Sequence, residues 1–196
     1  MLKCEELTPL RAAFISACDG TTIMNDRRLM KIVSGGQTGV DQAALRAGEA
    51  FGLELGGWCP PGRIGESGQI PERFPVRDTP QERSSHAPEI PRSLRTEWNV
   101  RDSDATLVLR LLVPIQQPRH DPGTRWTFEC TVIYGKPLLV CDPNDPDGAG
   151  ARMVHHWLET LGVRILNVAG PAESTQPGIG RLAEKFLIEV FRQQTV

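Results

Sequence analysis

The sequence has no hydrophobic run long enough to cross a membrane. Its longest apolar runs, such as Ala105 to Val113 with Arg110 inside it, are much shorter than the ~18 to 20 residues that a spanning helix needs. We therefore expect no membrane span, and the near-neutral net charge of -2 gives no reason to expect a membrane surface as partner.

The sequence also lacks an excess of charge of one sign. Its 22 Lys and Arg residues nearly balance its 24 Asp and Glu residues, which gives a formal net charge of -2. Proteins that coat nucleic acids carry a basic excess, so we do not expect a nucleic-acid partner. With 196 residues, 39% of them hydrophobic, the chain suits one globular domain.

The cysteines are odd in number, scattered, and form no C-x-x-C pair. This pattern argues against both a disulfide framework and a zinc knuckle. A reducing compartment suits such a chain, so we expect a cytoplasmic protein. The five are Cys4, Cys18, Cys59, Cys130 and Cys141.

The first part of the chain has no convincing pattern that pairs with the later segments. We expect residues 1–28 to be a poorly attached N-terminal extension and residues 29–196 to form a single ligand-binding domain.

From Met30 onward, short apolar runs alternate with longer segments of helical periodicity, the pattern of βαβ units around a parallel sheet. The predicted fold class is therefore α/β, a doubly wound and mainly parallel sheet flanked by helices. The predicted strands are Lys31–Ser34, Leu53–Trp58, Ala105–Val113, Pro137–Cys141 and Val163–Val168. The predicted helices are Val40–Phe51, Arg92–Val100, Thr124–Tyr134, Ala151–Leu161 and Ile179–Gln193.

Glycine and proline clusters mark the loops after these strands. In a parallel sheet such loops emerge at the carboxyl edge, where folds of this class bind ligands. We therefore expect the functional site at that edge. The clusters are Gly35-Gly36, Gly56–Gly68, Pro114–Gly123, Asp142–Gly150 and Gly170–Gly180.

The stretch SGGQTGVDQAA, Ser34 to Ala44, has the form of a turn that seats a phosphate at the start of a helix. It matches neither the G-x-x-x-x-G-K-[ST] loop, whose lysine it lacks, nor the G-x-G-x-x-G loop. Backbone N–H groups and side chains of the loop are the candidate ligand donors. The candidates are Gly35, Gly36, Gln37, Thr38 and Gly39.

Asp41 stands in the first turn of the helix after this loop. A carboxylate there would repel a bare phosphate unless it caps the helix or binds a hydroxyl, a ring N–H or a Mg2+ ion. The alternative is a tight strand-to-helix turn in which Asp41 only complements the helix dipole.

The second stretch, GGWCPPGRIGESGQIP, spans Gly56 to Pro71. Trp58 is a candidate for stacking on a planar ring, Arg63 for clamping a phosphate or carboxylate, and Glu66 for accepting a hydroxyl or activating water. A salt bridge between Arg63 and Glu66 that stiffens the loop is the alternative.

The third stretch, RTEWNVRDSDAT, leads from a helix into a strand. Arg95, Asn99 and Asp102 share one helical face, and Asp104 stands at the entrance of the strand, so all four are candidates for the ligand edge. The alternative is a solvated face on which Asp102 pairs with an arginine.

The fourth stretch, DPGTRWTFE from Asp121 to Glu129, is another glycine turn that opens a helix. The N–H groups near Gly123, with the hydroxyls of Thr124 and Thr127, are candidates for a second anionic part of the ligand. Thr124 as a simple helix cap is compatible with this role.

These stretches, together with NVAGPAES-x-x-PGIG, occur in order from Lys31 to about Phe191 and resemble the molybdenum-cofactor carrier family. That family belongs to a wider Rossmann-like group with the lonely-guy nucleoside-monophosphate phosphoribohydrolases and the nucleotide-derivative sensors. The resemblance implies a Rossmann-like fold and a bound small molecule that carries a phosphate and a flat heterocycle, with molybdenum cofactor as the candidate. It also implies molybdoenzymes or cofactor-synthesis proteins as partners, and a homo-oligomer is expected.

The resemblance carries site roles onto matching positions of this sequence. It covers all the candidates above except Trp58, which is proposed from its aromatic chemistry alone, and Asp102. The positions are Gly35, Gly36, Gln37, Thr38, Gly39, Asp41, Arg63, Glu66, Arg95, Asn99, Asp104, Gly123, Thr124 and Thr127.

One departure bears on catalysis. The phosphoribohydrolases place a glutamate in a P-G-G-x-G-T-x-x-E loop, whereas Glu129 stands two residues later, which turns it by about 200° around the helix. We therefore favour a binding protein over an enzyme. A nucleotide hydrolase that uses Glu66 or Asp41, and a nucleotide sensor, are the alternatives.

Overall fold

The structure, a computed structural model, describes residues 28–112 and 122–193. The extension predicted for residues 1–28 lies outside these ranges apart from Arg28. Most of the predicted loop Pro114–Gly123 also lies outside them.

Five helices lie within the described ranges, and each begins and ends within about two residues of its predicted bounds. Glycines or loop residues precede most of them, as the sequence pattern predicts. The helices are α1 (Val40–Ala50), α2 (Ser93–Arg101), α3 (Pro122–Ile133), α4 (Ala149–Leu161) and α5 (Ile179–Arg192).

Short strands and one 3-10 helical turn, Pro61–Arg63, make up the rest of the regular structure that the described residues form. In chain order the strands are β1 (Lys31–Val33), β2 (Glu54–Gly56), β3 (Trp58–Cys59), β4 (Ile64–Gly65), β5 (Gly68–Gln69), β6 (Arg77–Asp78), β7 (Ala105–Leu109), β8 (Leu138–Cys141) and β9 (Ile165–Ala169).

Two strand predictions need correction. The predicted strand Leu53–Trp58 is divided at Gly57, whose φ of 129° is unfavourable for other residues, and its two halves enter different sheets. The predicted strand Ala105–Val113 ends at Leu109, after which Arg110 N still donates to Cys141 O at 3.1 Å.

The central sheet has the order β2-β1-β9-β7-β8, and all of its neighbouring pairs are parallel. This confirms the predicted Rossmann-like α/β class. The chain runs outward from β1 to β2, later from β7 to β8, and then returns to insert β9 between β1 and β7. The carboxyl ends of these three inner strands therefore meet at one point of the edge.

The core lies on both faces of this sheet. Residues of β7 show the alternation: Leu107 and Leu109 join the cluster formed with α1, α4 and α5, whereas Thr106 and Val108 face the other side. The face on the side of α2 and α3 has a smaller cluster that includes Val100 and Trp126.

A hydrogen bond fixes the beginning of α3 beside α2. The indole Nε1 of Trp126 donates to Ser93 O at 3.0 Å, and Trp126 is buried. Because Ser93 is the first residue of α2, the two helices present their N-terminal turns to the same region.

Candidate functional site

A cleft of about 290 Å³ opens at the carboxyl edge of the sheet. It lies against the loop after β1, the end of β9, and the first turns of α2 and α3. The predicted site residues that line it come from four separate stretches of sequence. They are Gly35, Gln37, Asp41, Glu66, Arg95, Asn99, Gly123, Thr124 and Thr127.

The glycines after β1 are required by close packing. A Cβ at Gly35 would stand 2.0 Å from Arg95 Nη1, and a Cβ at Gly39 would stand 2.5 Å from Pro171 O. Gly39 also has a φ of 73°, in the left-handed region. Gly36, with a φ of 72°, packs against Ile70 rather than lining the cleft.

Asp41 lies in the wall of the cleft and is only 3% exposed. Its Oδ2 accepts Arg95 Nη1 at 2.9 Å and Gln37 N at 3.3 Å. Burial raises the pKa of the Asp41 carboxyl above its ordinary value, and the charge of Arg95 acts against that rise.

In the structure Asp41 Oδ2 is already engaged, and the binding of a ligand hydroxyl or a Mg2+ ion by Asp41 stays a prediction. Both donors to Oδ2 come from the protein itself, Arg95 in α2 and Gln37 in the loop before α1. Among the described residues, no group of three or more His, Cys, Asp or Glu side chains could hold a metal ion.

Gln37 is also in this wall and is 4% exposed. Its Oε1 accepts Glu66 N at 3.2 Å and Arg92 Nη1 at 3.3 Å. The side chain therefore joins the loop after β1 to the β4–β5 hairpin and to the start of α2.

Glu66, at the tip of the β4–β5 hairpin, is exposed at the rim of the cleft. Its carboxylate accepts the hydroxyls of Thr38 and Ser174, and Thr38 Oγ1 in turn accepts Glu173 N at 3.2 Å. Thr38 therefore does not line the cleft itself, but it bonds to Glu66, which does. No salt bridge joins Glu66 to Arg63 in the described structure, so that alternative is not observed.

Arg63 is not among the described residues that line the cleft. Its guanidinium donates to three backbone oxygens, of Val76 at 2.6 Å, Phe74 at 2.9 Å and Pro71 at 3.2 Å. These bonds hold the irregular segment between β5 and β6. In this geometry the guanidinium of Arg63 serves the backbone of that segment, and its role as a ligand clamp stays a prediction.

Trp58 also lies outside the lining of this cleft. Its ring packs edge-on against Trp98 at 4.7 Å between centroids, and its Nε1 donates to Asp102 Oδ2 at 2.7 Å. Asp102 in turn pairs with Arg101, as the solvated-face alternative predicted. This geometry does not support stacking of Trp58 on a ligand in the cleft.

The amide of Asn99 faces the backbone of Trp58. Asn99 Oδ1 accepts Trp58 N at 2.8 Å, and Asn99 Nδ2 donates to Trp58 O at 3.0 Å. Asn99 borders the cleft, but its amide groups are used to fix the chain after β2.

Asp104 lies at the amino ends of the strands, whereas the cleft opens at their carboxyl ends. It precedes β7, and its Oδ2 accepts Arg164 N at 3.0 Å and Ile165 N at 2.8 Å, at the amino end of β9. Because a strand's amino end is remote from its carboxyl edge, Asp104 does not line this cleft, and its ligand role stays a prediction.

The first turn of α3 forms the remaining wall. Thr124 and Thr127 are buried in the lining with Gly123, and Thr127 Oγ1 donates to Gly123 O at 3.0 Å. Glu129 instead pairs with Arg125 at 2.9 Å, with both side chains largely exposed. This placement agrees with the predicted displacement of Glu129.

Several lining residues were absent from the sequence predictions. Arg92 precedes α2 with a φ of 59°, unusual for a residue other than glycine, and Asn167 is a buried polar residue in the middle of β9. A polar residue inside an apolar strand is a signal that could have identified Asn167. The other missed residues are Glu82, Pro91, Thr96, Pro122, Val168, Ala169, Gly170, Ala172 and Thr175.

Cys59 takes the role of a small buried residue. Burial, followed by a contact with Asp78 Oδ1 at 3.4 Å, raises the pKa of the Cys59 thiol to about 12. The thiolate that would react or bind a metal is therefore disfavoured at neutral pH.

The parallel sheet, with a polar cleft at the carboxyl ends of its inner strands, defines a Rossmann-like α/β protein. Within that class, the chain belongs to the circularly permutated YpsA SLOG family, whose sequence model matches residues 32–191. The resemblance to a wider Rossmann-like group is thereby confirmed.

A solved structure supports the same relationship. The chain is similar to the crystal structure of a "putative molybdenum carrier protein" from Syntrophus aciditrophicus SB, with 34% sequence identity and a TM-score of 0.70. The similarity covers 83% of this chain and 94% of that one. No curated protein matches the chain. None of the helices in the described ranges has the length and apolar character that a membrane crossing requires.

Proposed function

We propose that this protein binds a small molecule that carries a phosphate and a flat heterocycle, with molybdenum cofactor as the candidate cargo. The observation that carries the proposal is that Arg92 and the first turn of α3 line one cleft with the loop after β1. The name of the similar Syntrophus protein supports the choice of cargo.

The anionic part of the ligand is assigned to Arg92 and α3. Within the described part of the chain Arg92 forms no ion pair, and its side chain donates only to the neutral Oε1 of Gln37. The N-terminal turn of a helix adds backbone N–H groups and a partial positive charge. Arg95 contributes less net charge because Asp41 balances it.

The heterocyclic part is assigned to the wall formed by Gln37 and the Asp41–Arg95 pair. This wall is buried and polar, so it suits a flat ring with hydrogen-bonding groups at its edge. The molybdenum cofactor, a pyranopterin phosphate, has both of the required parts.

The experiment is retention of the cofactor. Purified protein is incubated without oxygen with molybdenum cofactor, passed through gel filtration, and assayed for molybdenum by mass spectrometry and for pterin by fluorescence after oxidation. We expect the parent protein to retain both, and Arg92→Ala to retain about tenfold less, since a charge-assisted hydrogen bond contributes ~1.5 to 3 kcal/mol.

Arg181→Ala is the matched control, because Arg181 is an exposed arginine of α5 away from the cleft. It should retain the cofactor as the parent does. The proposal is refuted if the parent retains no pterin, or if Arg92→Ala and Arg181→Ala retain equal amounts.

A second candidate function is hydrolysis of the N-glycosidic bond of a nucleoside monophosphate. The observation that favours it is the exposed carboxylate of Glu66 at the rim of the cleft. A carboxylate there would stabilise an oxocarbenium-like centre or activate water. Release of free base from a panel of nucleoside monophosphates, abolished in Glu66→Gln, would support it; no release across the panel would exclude it.

A further inference from the structure

Two hydrogen-bond donors of residues in the wall of the cleft have no partner within the described part of the chain. Among the described residues, Gln37 Nε2 and Arg95 Nε are buried side-chain atoms without a hydrogen bond. Both residues line the cleft. Because native proteins pair most buried polar atoms, unpaired donors at a cleft indicate a partner supplied from outside.

The orientation of the Gln37 amide is fixed by its neighbours. Its Oε1 lies 3.2 Å from Glu66 N and 3.3 Å from Arg92 Nη1, and both of these groups can only donate. An amide turned by 180° would set its NH2 group against two donors. Gln37 therefore keeps a donor, and not an acceptor, on the side without a partner.

The second donor belongs to an ion pair without net charge. Arg95 Nη1 lies 2.9 Å from Asp41 Oδ2, and the side chains are 18% and 4% exposed. Since the carboxylate balances the guanidinium, Arg95 Nε offers a hydrogen bond with little net attraction for an anion. The unpaired donors of this wall thus favour a neutral acceptor.

We infer that this wall recognises an oxo group of the ligand's heterocycle, as found in an oxopurine or a pterin. The inference rests on the proposed function and adds the class of ring that the cleft selects. A ring carbonyl is a neutral acceptor with two lone pairs, so it suits donors of this kind. The phosphate remains with Arg92 and α3.

The expected selectivity depends on the unpaired donors. A buried donor left without a partner costs ~1 to 3 kcal/mol, which corresponds to about 5- to 150-fold in affinity. A ligand with the oxo group removes this cost, whereas an analogue without it leaves the donors unpaired.

The experiment compares inosine monophosphate with purine riboside monophosphate, which lacks the oxo group and the adjacent ring N–H. Calorimetric titration of the parent protein should show about tenfold or tighter binding of inosine monophosphate. Gln37→Glu replaces the donor by a carboxylate oxygen and should abolish this preference, and Gln37→Met should reduce it without adding charge.

Gln69→Glu is the matched control, since Gln69 is exposed in β5 and does not line the cleft. It should keep the preference of the parent. Thermal unfolding of each variant verifies that it is folded; if Gln37→Glu is unfolded, Gln37→Met decides the result.

The outcomes separate the inference from the proposed function. Equal affinity of the parent for both nucleotides, or an unchanged preference in the folded Gln37 variants, overturns the inference and leaves the proposed function standing. If neither nucleotide binds while molybdenum cofactor is retained, the inference also fails alone. If nothing binds, both fail.

Discussion

Asp41 Oδ2 and Arg95 Nη1 lie 2.9 Å apart in the wall of the cleft, although the two residues are 54 positions apart in the chain. Asp41 lies in the first turn of α1 and Arg95 in α2, so their pair connects the two halves of the wall. We expect the stability of the fold and the tolerance of Gly35 to substitution to depend on this contact.

Removal of one partner of this pair should be costly. Arg95→Met leaves the buried Asp41 carboxylate without its countercharge, which is expected to lower the free energy of unfolding by ~3 to 5 kcal/mol. The double variant Asp41→Asn/Arg95→Met should recover part of that loss because no buried charge remains. Urea unfolding of the parent, both single variants and the double variant measures the coupling; additive losses would contradict it.

A side chain at Gly35 should displace the Asp41–Arg95 ion pair. The Cβ of Gly35→Ala would stand 2.0 Å from Arg95 Nη1 and 2.8 Å from Asp41 Oδ2, so the ion pair must shift. We expect a loss of ~1 to 3 kcal/mol in the free energy of unfolding. Gly56→Ala is the control, because its new Cβ meets only the flexible end of Lys31. Equal losses in the two variants would contradict this account.

Asn99 should stabilise the turn after β2. Asn99→Ala removes both of its hydrogen bonds to Trp58 and leaves backbone groups unpaired, at an expected cost of ~1 to 3 kcal/mol. Asn144→Ala, which changes an exposed asparagine, is the control and should lie within ~0.5 kcal/mol of the parent. Chemical unfolding monitored by tryptophan fluorescence measures both; equal stability of the variants would show that the Trp58 bonds contribute little.

The stability of the protein should fall at high pH through Tyr134. Burial, followed by the hydrogen bond to Glu97 at 2.6 Å, raises the pKa of Tyr134 from 10.0 to about 12. Because the folded pKa is higher than the unfolded one, its stabilising contribution is complete below pH 10 and is lost as the pH rises through about 12.

Tyr134 is the one tyrosine in the sequence, so the absorbance of tyrosinate reports this group directly. The folded protein should titrate near pH 12, the unfolded chain near 10, and Glu97→Gln should lower the folded value. Titration of the folded parent near pH 10 would contradict the prediction.

The sequence predicted the helices well because their signals are local. The apolar periodicity of α5 and the glycine turn before α1 depend on residues a few positions apart, and both helices begin at the predicted residue. The division of the strand at Gly57 was missed because a left-handed backbone angle at glycine leaves no mark in the hydrophobic pattern.

The candidate site was predicted in part. Gln37, Arg95 and Thr124 follow glycine turns or share a helical face, and the parallel sheet brings them to one cleft. Arg63 and Asp104 are charged residues in motifs that also predict a ligand site. In the structure, however, their side chains bond to backbone groups outside the cleft. Residue type and spacing do not distinguish these two outcomes.

The sequence by itself determined the alternation of strands and helices, the parallel sheet, and the edge at which the loops emerge, since these depend on periodicity and turn chemistry. Only the tertiary structure decided which polar groups meet. It paired Asp41 with Arg95, bound the amide of Asn99 to the backbone of Trp58, and left Gln37 Nε2 without a partner among residues 28–112 and 122–193. The physical reason is that hydrogen bonds are short and directional, so their partners depend on packing between segments distant in sequence.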